Sequence, residues 1–219
     1  MNLRIVALVL VFLVSCTGKS VQHLESKDGF TVLPKPAKGE AIATFSGGCF
    51  WAMQECMMEL KGVNKVVSGY AGGTTKNPTY ETVLTKQTGH AESVQVYYNS
   101  SIISFEKLVG AFFYAHDPTQ IDGQGPDIGS DYRSIAFYRS PEEYKIIRKV
   151  SDRVDSSRHY PSLIVTEITP FTVFYPAETE HQDYYPKNLW SPYIRNVSKP
   201  KVLKLRKAFP ALIKSNFLE

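Results

Sequence analysis

Cysteine is scarce in this 219-residue chain: there are three, Cys16, Cys49 and Cys56, and none follows Cys56. His90, His116, His159 and His181 stand without a Cys-x-x-Cys partner or a helical His pair, so the spacings of a protein metal site are missing and no resident metal is expected. No glycine cluster carries a phosphate-binding signature; these clusters read as turns that approach a substrate closely. No apolar run is long enough for a permanent membrane-spanning helix. The formal net charge is only +4. Basic residues are scattered until 199–207, where they alternate with Val202, Leu203 and Leu205, so they read as the solvated face of a C-terminal helix and no nucleic-acid partner is expected. There is no internal repeat. What remains is the make-up of an ordinary single domain, 43% hydrophobic and 21% charged, with 13 tyrosines and 12 phenylalanines to furnish a core and a pocket.

The first residues have the form of a targeting segment. Arg4 gives a positive start, residues 5–14 are apolar, and Leu13-Val14-Ser15-Cys16 follows. That tetrapeptide resembles the bacterial lipoprotein box, in which the signal (1–15) is cut and the cysteine, Cys16, is lipidated; an ordinary signal peptide with an incidental cysteine is the alternative. Thr17, in place of aspartate, leans toward the outer membrane. The expectation is an extracytoplasmic, membrane-anchored lipoprotein. Residues 16–39 are polar and mixed, with Pro34 and Pro36, and read as a tether. The folded domain is expected over 40–219.

Within it, a strand at 40–45 runs into Gly47-Gly48. Phe50, Met53, Met57 and Leu60 then recur at helical spacing up to Lys61-Gly62. Residues 63–68 read as a strand ending in the turn-rich 69–73, and alternation over 92–98 gives another strand. Helices are expected over 105–114 and from Ser140, where Ser140 and Glu143 form a capping box around Pro141. Residues 123–129 read as an irregular loop, 133–138 as a strand, and 163–168 and 172–175 as two more. The tail beyond Tyr184 is proline-punctuated and ends in one helix. Strands and helices mix without regular alternation, which predicts an α+β fold: a two-layer sandwich of a mixed sheet with helices.

Two residues stand out chemically. Cys49 is presented by two glycines at a helix start, beside Phe50 and Trp51. Unpaired N–H groups at a helix N-terminus favour thiolate, and the aromatic pair offers an apolar wall, so this is the construction of a nucleophile. Glu92 shares a strand face with Val94 and Val96, the face expected to be buried. A carboxyl there resists ionisation and is a candidate general acid; a frayed, solvated strand end is the other reading, and the pattern alone leaves both open.

Gly47-Gly48-Cys49-Phe50-Trp51, Gly69-Tyr70-Ala71-Gly72-Gly73, Asn77-Pro78-Thr79-Tyr80, Gly89-His90-Ala91-Glu92, His116-Asp117-Pro118-Thr119-Gln120, Gln124-Gly125-Pro126-Asp127, Tyr132-Arg133-Ser134 and Phe174-Tyr175-Pro176-Ala177-Glu178 follow one another in this order. The series resembles peptide methionine sulfoxide reductase A over roughly 42–207. The resemblance implies a ferredoxin-like sandwich and thiol-dependent reduction of the S epimer of methionine sulfoxide, free or in proteins, serving repair of oxidised envelope proteins. It implies that Cys49 attacks the sulfoxide sulfur and becomes a sulfenic acid while Glu92 protonates the leaving oxygen. Tyr80 and Tyr132 hydrogen-bond that oxygen, Phe50 and Trp51 hold the ε-methyl group, and Asp127 accepts from the substrate backbone. No bound cofactor is implied, only an external thiol reductant, thioredoxin-like or small.

Departures from the family pattern are informative. Gly123 stands where arginine is common and Asp131 where glutamine is common, and the segment 188–196 lacks the resolving cysteine of many relatives. With no B-type reductase segment after the domain, repair of one epimer is expected. Cys56 reads as core filler, and His90 and His181 as structural hydrogen-bonders near the pocket. Two other classes remain: a cysteine hydrolase pairing Cys49 with His90 or His181, and a non-catalytic lipoprotein whose aromatic pocket binds peptide.

Overall fold

The computed structural model describes residues 26–218; the signal segment 1–15, Cys16 and the first part of the tether lie outside them. In chain order the elements are β1 Ser26–Lys27, β2 Phe30–Thr31, β3 Glu40–Ser46, α1 Phe50–Met58, β4 Val63–Ala71, α2 Tyr80–Leu84, β5 Ala91–Asn99 and α3 Phe105–Ala115. They continue with β6 Gly123–Gln124, β7 Asp127–Ile128, β8 Ile135–Tyr138, α4 Pro141–Ser156, β9 Glu167–Pro170, β10 Phe174–Pro176 and α5 Tyr184–Lys187. A π-helical turn, Ile194–Ser198, leads into α6 Lys199–Ala208.

Six strands form one mixed sheet in the order β10-β4-β5-β3-β8-β9. All neighbours are antiparallel except β8 and β9. This is the α+β arrangement the pattern predicts. Alternation along β5 sorts its side chains as expected. Val94, Val96 and Tyr98 join the main core with residues of α1, α3 and α4, while Ala91 and Tyr97 join a smaller cluster with Val67, Ile135 and Phe137. Phe45 stacks on Phe112 at 4.8 Å in the main core; each such side chain withdrawn from water contributes about 1.5–3 kcal/mol.

The C-terminal segment is tied back onto α1, and this carries it to the site. Asp183 N–H donates to Gln54 Oε1 (2.9 Å), Arg206 grips the buried Glu59 with two bonds (2.8 and 2.6 Å), and Lys214 Nζ donates to the Met58 carbonyl (2.6 Å). Consequently seven of the nine residues of α1 are buried, polar Gln54 and Glu55 included.

Several elements differ from the sequence expectation. β4 runs on through Gly69-Tyr70-Ala71, read as a turn, because it pairs with β5 on one side and β10 on the other. Glycine is needed at 69, since a Cβ there would lie 2.2 Å from the Tyr175 carbonyl oxygen. α2 was not anticipated; it is capped by Thr79 and Thr82 in reciprocal bonds, with threonine in the place usually held by Glu or Gln. At α4, Ser140 accepts from Glu143 N–H, but Glu143 accepts from Arg139 N–H, so only half of the expected box forms. The strand expected at 163–168 lies at 167–170. The second half of the segment read as tether packs on the domain: Thr31 N–H donates to Ala177 (3.2 Å), Thr179 N–H to Gly29 (2.9 Å) and the Tyr97 hydroxyl to Pro34 (3.0 Å).

Candidate active site

Cys49 is the N-cap of α1, with φ −52° and ψ 123°. Gly48 before it has φ +79°, a conformation open to glycine, and a Cβ there would sit 2.5 Å from the Gln124 side chain. The tight strand-to-helix turn therefore presents the cysteine where first-turn N–H groups converge. One of them, Phe50 N–H, donates to Glu92 Oε2 at 2.8 Å. The carboxyl comes from β5 and points at the helix, as period two requires; it is 2% exposed, which decides between the buried and the solvated reading.

Burial sets the protonation states. Desolvation pushes the Glu92 pKa up to about 8; the Phe50 N–H opposes this, and the nearby carboxylates of Asp131 and Asp127 add to it. Desolvation also pushes the Cys49 thiol well above its usual value, with the negative charge of Glu92 adding to the rise. The helix start was expected to favour thiolate; desolvation of the buried sulfur works against it and favours the thiol.

A cavity of about 330 Å³ opens over the sulfur, lined by Cys49, Trp51, Tyr80, Glu92, Asp127, Tyr132, Tyr184, Ser191 and Tyr193. Of the seven residues singled out from the sequence, six line it. Phe50 lies behind the wall, fully buried, with the Tyr80 ring stacked on it at 6.3 Å and Tyr70 at 5.9 Å. Trp51 is clamped flat on Tyr184 (3.8 Å, 13°), meets Tyr193 edge-on at 5.7 Å, and donates from Nε1 to His181 Nδ1 at 3.4 Å. Tyr80 opens α2, its N–H held by Glu178 Oε1 (2.8 Å), while Glu178 Oε2 accepts from the Tyr70 hydroxyl (2.8 Å). Tyr132 ends a 3-10 turn, Ser130–Tyr132, which Arg133 pins through the carbonyls of Ser130 and Gly89. Asp127, on β7, accepts from the Tyr193 hydroxyl at 2.7 Å.

Tyr184, Ser191 and Tyr193 were missed. They come from the proline-punctuated tail, where no periodicity marks a site; the available signal is aromatic density, with Tyr184, Tyr185, Trp190 and Tyr193 close together. The histidines lead away from a hydrolase. Both ring nitrogens of His90 are engaged, by Gly73 N–H and the Thr75 carbonyl, and His181 accepts from Trp51; neither imidazole hydrogen-bonds Cys49 among the described residues. No group of three or more His, Cys, Asp or Glu able to hold a metal occurs among them. Cys56 is buried in α1 and free. Of the two departures, Gly123 sits close against its neighbours, a Cβ there lying 2.9 Å from the Asp127 carbonyl oxygen, and Asp131 is wholly buried beside Tyr132.

A cysteine thiol, a buried carboxyl with a raised pKa and several tyrosines thus line one small aromatic cavity. Residues 41–212 match the family model described as peptide methionine sulfoxide reductase. The chain belongs to this family. It is 46% identical over 177 residues to peptide methionine sulfoxide reductase MsrA of Saccharolobus solfataricus, covering 79% of this chain and 97% of the relative. Among solved structures it is similar to Mxr1 of Saccharomyces cerevisiae in reduced form (32% identity, TM-score 0.67, 72% of this chain and 91% of that one). It is also similar to methionine sulfoxide reductase A of Corynebacterium diphtheriae (31%, TM-score 0.64, 77% and 92%). As a peptide methionine sulfoxide reductase of the A type, the protein is an oxidoreductase that reduces methionine sulfoxide.

Proposed function

We propose that the protein is a single-cysteine reductase of the S epimer of methionine sulfoxide, free or protein-bound, drawing electrons from an external thiol and anchored by lipid on Cys16 outside the cytoplasm, where it repairs oxidised envelope proteins. The observation that carries the catalytic reading is the buried pair formed by Cys49 and Glu92 across the first turn of α1. A sulfoxide oxygen leaves poorly unless protonated. Glu92, uncharged at neutral pH, supplies that proton as the Cys49 sulfur attacks the sulfoxide sulfur. Tyr80 and Tyr132, which line the cavity together with Glu92, donate to the oxygen as charge builds on it. Trp51, held rigid by Tyr184 and backed by Phe50, receives the ε-methyl group and fixes which epimer fits. Asp127 takes the substrate backbone N–H. The oxygen ends on Cys49 as a sulfenic acid, and methionine leaves.

An external thiol is needed because, among the described residues, the other cysteine is Cys56 and it is out of reach. Cys56 is seven positions along the same helix, so its Cα lies roughly 10 Å from that of Cys49 at ~1.5 Å per residue. A disulfide spans at most ~7 Å between Cα atoms. A thioredoxin-like protein or a small thiol therefore resolves the sulfenic acid.

The test is turnover of each sulfoxide epimer with dithiothreitol. The S epimer should be consumed with oxidation of the thiol and the R epimer spared, Cys49→Ser should be inactive, and Cys56→Ser should keep both steps. Loss of activity in Cys56→Ser at full Cys49 reactivity would overturn the single-cysteine reading, and failure of the wild type to consume either epimer would overturn the function.

A further inference from the structure

The reductase reading leaves the thiol proton of Cys49 without a destination. Glu92 cannot take it, since Glu92 must itself be protonated to serve the sulfoxide oxygen. Both candidate histidines are turned to other partners. The Tyr193 hydroxyl, missed in the sequence, joins both ends of a route: it shares the cavity wall with the Cys49 thiol, whose charged form it favours, and it donates to Asp127 Oδ2 at 2.7 Å. All three side chains line the same cavity.

We propose that Tyr193 is a catalytic residue that carries the Cys49 thiol proton to Asp127 as the sulfur attacks. This rests on the reductase reading of the site. A phenol has one hydrogen, and here it points to Asp127, so the remaining lone pair of Oη is the acceptor for the thiol S–H. In the reaction the S–H bond breaks and its proton moves to Tyr193 Oη, while the original Oη–H proton moves to Asp127 Oδ2. The Cys49 sulfur bonds to the sulfoxide sulfur while the Glu92 proton goes to the sulfoxide oxygen; that oxygen then passes to the Cys49 sulfur as its bond to the substrate sulfur and the sulfur–sulfur bond both break. The substrate sulfur gains two electrons and the cysteine sulfur loses the same two. Return of the Asp127 proton to Glu92 through solvent restores both carboxyls. Asp127 Oδ1 stays free for the substrate backbone, so one carboxylate holds the substrate and receives the proton.

The position of Tyr193 is well braced. Its ring meets Trp51 edge-on, and the π-helical turn directly after it feeds the tail into α6, which Arg206 ties to Glu59. Phenylalanine at 193 keeps that packing and removes only the hydroxyl.

The experiment is single-turnover reduction of a methionine sulfoxide peptide by the purified protein, followed to saturation with substrate. Tyr193→Phe and Asp127→Asn should each lower the maximum rate by ~10²-fold or more, as expected for loss of a proton acceptor. Asparagine keeps an acceptor oxygen at only one of the two positions and takes no proton, so the half-saturating concentration is read beside the maximum rate to separate lost substrate holding from lost proton acceptance. The double variant should be no slower than the slower single one. Saturating rates within about threefold of wild type in either folded variant, with any loss confined to the half-saturating concentration, would overturn the relay and leave the reductase reading intact. A wild-type protein that does not reduce the peptide would overturn the reading and the relay together.

Discussion

Glu92 is held by two opposing demands. The Phe50 N–H favours its charged form, and its apolar strand face together with Asp131 and Asp127 favours the neutral one; desolvation prevails and the pKa rises to about 8. The reductive step should therefore slow above about pH 8, and Glu92→Gln should slow it ~10²–10⁴-fold below that pH, the range of a general acid, with the gap narrowing above it. Stability should also fall as pH rises. A carboxyl whose folded pKa lies above its unfolded one costs stability as pH rises from the ordinary carboxylate range through about 8. Glutamine has no such slope, so thermal melts of Glu92→Gln should match wild type near pH 4 and exceed it near pH 9. Equal melting temperatures at both pH values would place the raised pKa in doubt. At this scale the sequence was informative where a rule of period or capping applied: Cys49, Phe50, Trp51 and Glu92 follow from two glycines, a helix start and strand alternation. Tyr80, Tyr132 and Asp127 needed the family resemblance, because each sits on a short turn or a two-residue strand with no period of its own. Tyr193 had only the aromatic density of the tail as a signal, since tertiary ties between α1 and the tail place it.

Among the elements, α1 with β3 and β5 forms the frame of the site, and all three were legible because each is long enough to show its period. The short elements were not. α2 spans five residues and uses an all-threonine cap, and the N-terminal hairpin consists of two two-residue strands in a polar stretch. The hairpin braces the segment that carries Glu178, the residue that fixes Tyr80. A chain starting at Lys38 loses the four hydrogen bonds that Gly29, Thr31 and Pro34 make with the domain. At about 0.5–1.5 kcal/mol each this amounts to roughly 2–6 kcal/mol. The melting temperature should fall by roughly 4–24 °C, at about 2–4 °C per kcal/mol for a domain of this size. An unchanged melting temperature would show that the hairpin is only laid on the surface.

For the whole molecule, the α+β class with its mixed sheet was readable from the irregular succession of strands and helices, whereas the strand order was not, because it depends on long-range pairing of β10 with β4 and β8 with β9. The anchor belongs to this scale too. If Cys16 is lipidated, the native protein should partition with membranes and begin at an acylated Cys16, and a Cys16→Ser chain should be released from them; intact-mass analysis of the native N-terminus showing an unmodified residue would contradict the anchor. After lipidation, Cys49 and Cys56 are the thiols that remain, and the central claim is that Cys49 works without a partner. The most direct test oxidises the reduced protein with one equivalent of the S epimer of methionine sulfoxide, without reductant, and maps the products after dimedone treatment. The account predicts a dimedone adduct on Cys49, Cys56 still free, and one methionine released per chain. A Cys49–Cys56 disulfide, or methionine formed with Cys49 unmodified, would contradict it.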